Sequence, residues 1–248
     1  MNLNNLTKSN NPMLSDASIN KASASTITRA NDAQMTVSGA VTKTMLLVSI
    51  LLCTTIYSYQ NSMSIFMPIG ALGGAAIFFL TSFKPNLAPM TAPIYAVLKG
   101  LFVGAVSASY AAAYGGIVFQ AVSLTIATLM AMLIIYKSGL IKVTQKFRMG
   151  VTMAVGAIMI VYLISWVGHF VGFTVPFIHE SGPIGIGITV VIIGVAALNL
   201  LLDFDNFEKG EQRQSPKFME WYFAMGLLFT LVWLYIEFLR LLGKLQRD

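Results

Sequence analysis

The sequence predicts an all-α, polytopic membrane protein built as a bundle of seven spanning helices. Three observations predict it. Hydrophobic residues make up 56% of the 248 and charged residues only 10%, with a mean hydropathy of +0.73, whereas a soluble domain carries about a quarter charged residues. Seven apolar stretches recur, each near the roughly 20 residues that span a hydrocarbon core. Lys and Arg collect in alternate loops between them, the asymmetry that orients helices in a bilayer.

Residues 1–40 are rich in Asn, Ser, Thr and Ala and lack any long apolar run. Such a segment buries too little surface to offset its ordering entropy, so a disordered tail is expected. No short apolar core with a cleavage site occupies the first thirty residues, which speaks against a signal peptide. Residues 41–248 read as one transmembrane domain. Its spans are expected at 43–60, 62–83, 92–113, 115–136, 149–172, 183–206 and 218–242. Breaks fall at Gln60-Asn61, Lys84-Pro85-Asn86, Gly115-Gly116 and the polar run from Lys137 to Arg148. Gly182-Pro183 opens the sixth span, since proline tolerates the first helical turn. The pairs Gly70/Gly74, Gly100/Gly104 and Gly168/Gly172 have the spacing that lets helices approach closely in lipid.

The basic residues fix the expected orientation. Lys8, Lys21 and Arg29 precede the first span, Lys43 stands at its tail end, and Lys84 lies in the second loop. Lys137, Lys142, Lys146 and Arg148 lie in the fourth loop, and Lys209, Arg213 and Lys217 in the sixth. The first, third and fifth loops have none. A cytoplasmic N-terminus follows. Arg240, Lys244 and Arg247 run against the rule if all seven segments cross.

Several function classes fall away. The net charge of +6 is spread over loops rather than interleaved with aromatics, so nucleic acid is not an expected partner. The lone Cys53 excludes an intrachain disulfide. His169 and His179 are too isolated for a metal cluster, and His179-Glu180 lacks the second histidine of a zincin motif. There is no nucleophile elbow and no phosphate-binding glycine loop before a helix. No enzyme and no cofactor is expected.

The carboxylates carry the remaining information. Most of the ten acidic residues lie in or beside the last two spans, and an ionisable group in lipid marks a partner, water or a function. Asp203 and Asp205 end the sixth span; Glu220 starts the seventh, and Glu237 lies near its far end. Two residues apart on a helix is about 200° of rotation, so only one aspartate can face the bundle interior. Carboxylates meeting in a dry site share a proton, the basis of a pH-sensitive latch. Lys99 enters this layer about 10 Å below the start of the third span. It is a candidate ion-pair partner for an aspartate, or else it snorkels. Glu237 and Arg240 share a helix face and suit a local ion pair. Glu220 and Glu237 stand about 25 Å apart along a straight helix, which argues against contact between Asp203 and Glu237.

Several segments together resemble a known family: Ala92 through Ala121, Leu140 through Arg148, Ser181 through Gly187, Leu202-Asp-Phe-Asp-Asn-Phe-Glu208, Met219-Glu-Trp-Tyr222 and Trp233 through Leu242. The family is Bax inhibitor-1 (TMBIM), in its bacterial YccA-like branch, and the resemblance covers about 40–245. It implies a seven-helix bundle of the bacterial inner membrane with the last helix near the centre. It further implies a passive calcium leak regulated by protons, gated by one acid on the sixth helix and one on the seventh. Carried over, the first is Asp203, with Asp205 its rival, and both are candidate transient calcium ligands. The second is Glu237; an alternative alignment places Thr230 there, and Glu220 is a further candidate. The branch also implies another role, as partner and modulator of a membrane ATP-dependent protease through the N-terminal tail.

Overall fold

The structure, a computed structural model, describes residues 34–61, 63–172 and 182–246. Seven long apolar helices follow one another: α1 (Val37–Asn61), α2 (Phe66–Phe83), α3 (Ala88–Ala113), α4 (Ile117–Ser138), α5 (Gln145–Val171), α6 (Pro183–Gln212) and α7 (Met219–Leu245). At 1.5 Å per residue each is long enough to cross a bilayer. Among the described residues there is no β-strand, and the one extended pairing is an antiparallel bridge between Gln34 and Pro216.

The punctuation has local causes. Gly116 and Gly139 take positive φ (75° and 68°) on either side of α4, a conformation that glycine adopts without strain. Thr144 caps α5 by accepting from the Phe147 N–H at 3.2 Å, so the helix begins earlier than its apolar run. Gly182 and Pro183 open α6 as expected. Within α2, residues Ile69–Gly73 form a π-helical stretch, an irregularity common at functional sites.

The expected tail boundary at residue 40 needs correction. Met35 is buried, and α1 starts at Val37. The cause is a cap: Thr36 Oγ1 accepts from the Gly39 N–H at 2.9 Å. Residues 1–33, with the tail's expected disorder and protease contact, lie outside the described residues, as do His179, Glu180 and Arg247.

The last helix is the axis of the bundle. In its most apolar window 61% of residues are buried, against 39% at most in any other span. It touches α1, α3, α4 and α6. The α1–α3 pair is the tightest. A Cβ on Gly100 would sit 2.6 Å from the Leu51 carbonyl oxygen, and one on Gly104 2.6 Å from Ser58 Cβ. Ser58 Oγ donates to the Leu101 carbonyl across this seam at 2.7 Å. Gly70 and Gly74 of α2 likewise lie against α3. Gly172 does not belong to this group: among the described residues nothing approaches its Cβ position, and it ends α5 at φ 76°.

Two of the three C-terminal cations are not loop charges at all. Arg240 and Lys244 are inside α7 and are bound there by protein groups; Lys244 Nζ donates to the Gly185 carbonyl (2.9 Å) and to Thr189 Oγ1 (3.0 Å). Their departure from the loop asymmetry therefore reflects partners within the bundle.

Candidate functional site

Asp203 is the inward-facing acid. It lies on α6 nine residues before Gln212, about 14 Å from that end of the helix, and is 9% exposed. Its Oδ2 accepts from Thr230 Oγ1 on α7 at 2.7 Å and, at 3.4 Å, from Asn199 one turn earlier on α6. Asn199 Nδ2 also donates to Thr230 Oγ1 at 2.9 Å. Among the described residues no cation forms an ion pair with Asp203. A cleft of about 130 Å³ reaches it, lined also by Phe78, Thr81, Asn206, Tyr222 and Gly226.

Asp205 points elsewhere. It forms ion pairs with Arg148 at the start of α5 and with Lys209 one turn on, the latter at 2.7 Å. Arg148 also donates to Asn206 Oδ1 at 2.8 Å. The two aspartates thus occupy different environments. As the helix rotation between them requires, one aspartate faces α7 and the other α5, so they form no latch with each other.

The latch between Asp203 and Glu237 is corrected as well. Glu237, 1% exposed, sits in a separate polar cluster toward the opposite end of α7. Arg240 Nη1 reaches both its oxygens at 3.1 Å. Tyr162 of α5 donates to Oε1 at 2.7 Å and Trp233 Nε1 at 3.2 Å, while Arg240 Nη1 also donates to the Tyr162 hydroxyl at 2.6 Å. Glu237 and Arg240 do form the local ion pair their spacing predicts. The residue facing Asp203 on α7 is Thr230, the neutral alternative.

Glu220 does not take the partner's place either. Its carboxylate, 2% exposed, accepts from the Thr36 N–H at 3.1 Å and lies against Gly39. Glu211 accepts from the Val37 N–H at 3.1 Å. Two carboxylates from α6 and α7 therefore meet the free N–H groups at the positive end of α1. The Met35 N–H completes this clasp by donating to the Ser215 carbonyl at 2.8 Å.

Lys99 has no carboxylate within ion-pair distance among the described residues, so the candidate pairing with an aspartate, one of its two expected readings, is not formed. Its ammonium lies over the rings of Tyr95 (5.7 Å) and Phe102 (5.4 Å), one turn to either side on α3, at the distance of a cation–π contact.

Sequence reasoning missed Asn199, Tyr162 and Glu211. Asn199 carried a usable signal, a second polar residue one turn from Asp203 in an apolar helix. Tyr162 and Glu211 did not, because their partners are 75 and 174 residues away.

Neither curated proteins nor solved structures yield a match to this chain. A family model does: the one described as Bax inhibitor 1 like matches residues 11–247. That span takes in all seven helices and both polar clusters of α7, and by its extent this protein belongs to the Bax inhibitor 1 like family.

Proposed function

We propose that this membrane protein is a passive, proton-responsive cation leak, with Asp203 as proton sensor and transient cation ligand. The observation behind the proposal is a buried carboxylate within a spanning helix, bonded among the described residues to neutral groups and reached by a cleft. An intramembrane acid without a cation partner marks a functional site by default.

The chemistry of the three partners suits a two-state switch. Ionised, Asp203 accepts from the Thr230 hydroxyl. Protonated, it donates to Thr230 Oγ1, and that hydroxyl turns to the Gly226 carbonyl, 3.3 Å away. Either state is satisfied, so gain or loss of one proton reverses the bond that joins α6 to α7. In this protein the switch is a carboxylate and a hydroxyl rather than two carboxylates.

Carboxylate oxygen suits hard cations, calcium included. Among the described residues no three His, Cys, Asp or Glu side chains converge, which suits brief contact during passage better than storage. The proposal places the protein in a bacterial inner membrane with its N-terminus in the cytoplasm. It assigns no catalytic step.

The test is cation flux, calcium and potassium measured separately, through liposomes holding the full chain between pH 6 and 8. Flux that varies with pH in the wild type and ceases to vary in Asp203→Asn supports the reading. Flux no greater than that of empty liposomes, or pH dependence unchanged by Asp203→Asn, overturns it.

A further inference from the structure

We infer that residues 34–37 form an autoinhibitory strap, which fastens α6 to α7 and so limits access through the cleft to Asp203. The inference rests on the leak reading for its effect on ion flux and goes further by naming what regulates that site.

The strap lies across the ends of two helices that wall the cleft. The Thr36 N–H donates to Glu220 of α7, and the next N–H, of Val37, donates to Glu211 of α6, both at 3.1 Å. Consecutive residues are only about 3.8 Å apart, so one carboxylate from each helix meets the same short piece of chain. The Met35 N–H donates to the Ser215 carbonyl at 2.8 Å, and Gln34 faces Pro216 in the antiparallel bridge. The turn between α6 and α7 is thereby held as well.

Met35 is the wedge. It precedes α1 and yet is 2% exposed. A Cβ on Gly210 of α6 would collide with Met35 Sδ and lie 2.7 Å from Phe223 Cε2, so methionine and ring share the space that this glycine leaves. Phe223 itself lines the cleft, with Tyr222 and Gly226 of α7 and Asn206 of α6. Glu220 comes two residues before Tyr222, and Gly210 one turn after Asn206. The strap therefore grips each helix within about one turn of a residue that faces the cleft.

Release has a physical drive. Docked, both carboxylates meet N–H groups at the positive end of α1. Undocked, Glu211 and Glu220 lose those donors, and like charges on neighbouring helices repel. The departure of Met35 also leaves a gap beside Phe223, into which the ring can turn from the cleft. Among the described residues the strap is held by one buried side chain and three backbone N–H bonds. Opening so local a set of contacts costs far less than unfolding the bundle.

The test reads access first and flux second, in the full chain with Cys53→Ser. Gly226→Cys is the reporter of access: it lines the cleft, and among the described residues a Cβ there meets nothing within 4 Å. Its rate of reaction with a small cationic methanethiosulfonate is compared with and without Met35→Ala or Gly39→Ala. The second change drives a Cβ into the Glu220 carboxylate, and alanine favours a helix over glycine, so α1 itself is not weakened. Both are expected to raise the rate severalfold, and Met35→Leu to leave it near the wild-type value. In a chain without the reporter, Gln34→Cys/Pro216→Cys ties the strap down, since residues facing across such a bridge stand within disulfide reach. The oxidised form is expected to pass calcium and potassium severalfold more slowly than the same protein after reduction. A reaction rate unchanged by both Met35→Ala and Gly39→Ala, or flux equal before and after reduction, overturns the strap and leaves the leak standing. Wild-type flux no greater than that of empty liposomes, with the reaction rates still raised, overturns the leak and leaves the strap as the control of access to Asp203.

Discussion

Thr230 Oγ1 donates to Asp203 Oδ2 at 2.7 Å, so the acid on α6 is met on α7 by a hydroxyl. One proton decides which of the two residues donates. The pairing is neutral on one side, and this has a direct experimental consequence. Thr230→Asp would create the missing carboxylate pair. Two acids at such a distance titrate as a coupled unit in two steps. Flux against pH should change from one inflection in the wild type to a broader, two-step curve in this variant.

Thr230→Val keeps the shape of the side chain and removes the hydroxyl. Among the described residues Asp203 then keeps the 3.4 Å contact with Asn199 alone. A buried polar group left without its partner costs about 1–3 kcal/mol. Thermal unfolding in detergent should show that loss, and the double variant Thr230→Val/Asp203→Leu should recover part of it.

The Glu237–Arg240 cluster is expected to act in stability rather than in gating. Arg240→Met would leave the Glu237 carboxylate buried without its cation and cost about 3–5 kcal/mol. Replacing both members together, Glu237→Leu with Arg240→Met, should cost far less than either single change. The same unfolding measurement distinguishes these outcomes, and the pH dependence of flux should survive in the double variant.

Asp205 provides the contrast with Asp203. Its ion pairs with Arg148 and Lys209 lie at the edge of the bundle, with cations 28% and 36% exposed. Such pairs contribute about 0–1 kcal/mol. Asp205→Asn should therefore shift the unfolding midpoint little and leave the pH response as in the wild type.

Glu220→Gln tests the start of α1. The variant weakens a charge-assisted bond to the Thr36 N–H. Hydrogen exchange at residues 36–40 should quicken severalfold while the centre of α7 stays protected.

Much of the fold was legible because apolar length and loop charge report directly on spanning segments. Gly182-Pro183 and Gly115-Gly116 marked breaks that the backbone respects. The beginning of α1 was not legible, since the Thr36 cap and the two carboxylates that steady it depend on residues from the far end of the chain. Rotation along α6 correctly separated Asp203 from Asp205, but choosing the inward one required α7. Depth along α7 argued against Glu237 as the partner of Asp203. Thr230, an uncharged residue in an apolar helix, carried no electrostatic signal to recommend it. Lys99 was legible as an anomaly, and its rings, Tyr95 and Phe102, stand one turn to either side in the sequence; its packing against Gly74 of α2 emerges only when the helices are assembled.

The clasp at the start of α1 also sets a mechanical order. Tension applied to the chain before Gln34 meets the Met35–Ser215 bond and the Gln34–Pro216 bridge first. Those contacts belong to the turn that joins α6 to α7. A pull on the N-terminal end is thus delivered to the hairpin that carries Asp203 and Thr230 before it unwinds any of α1.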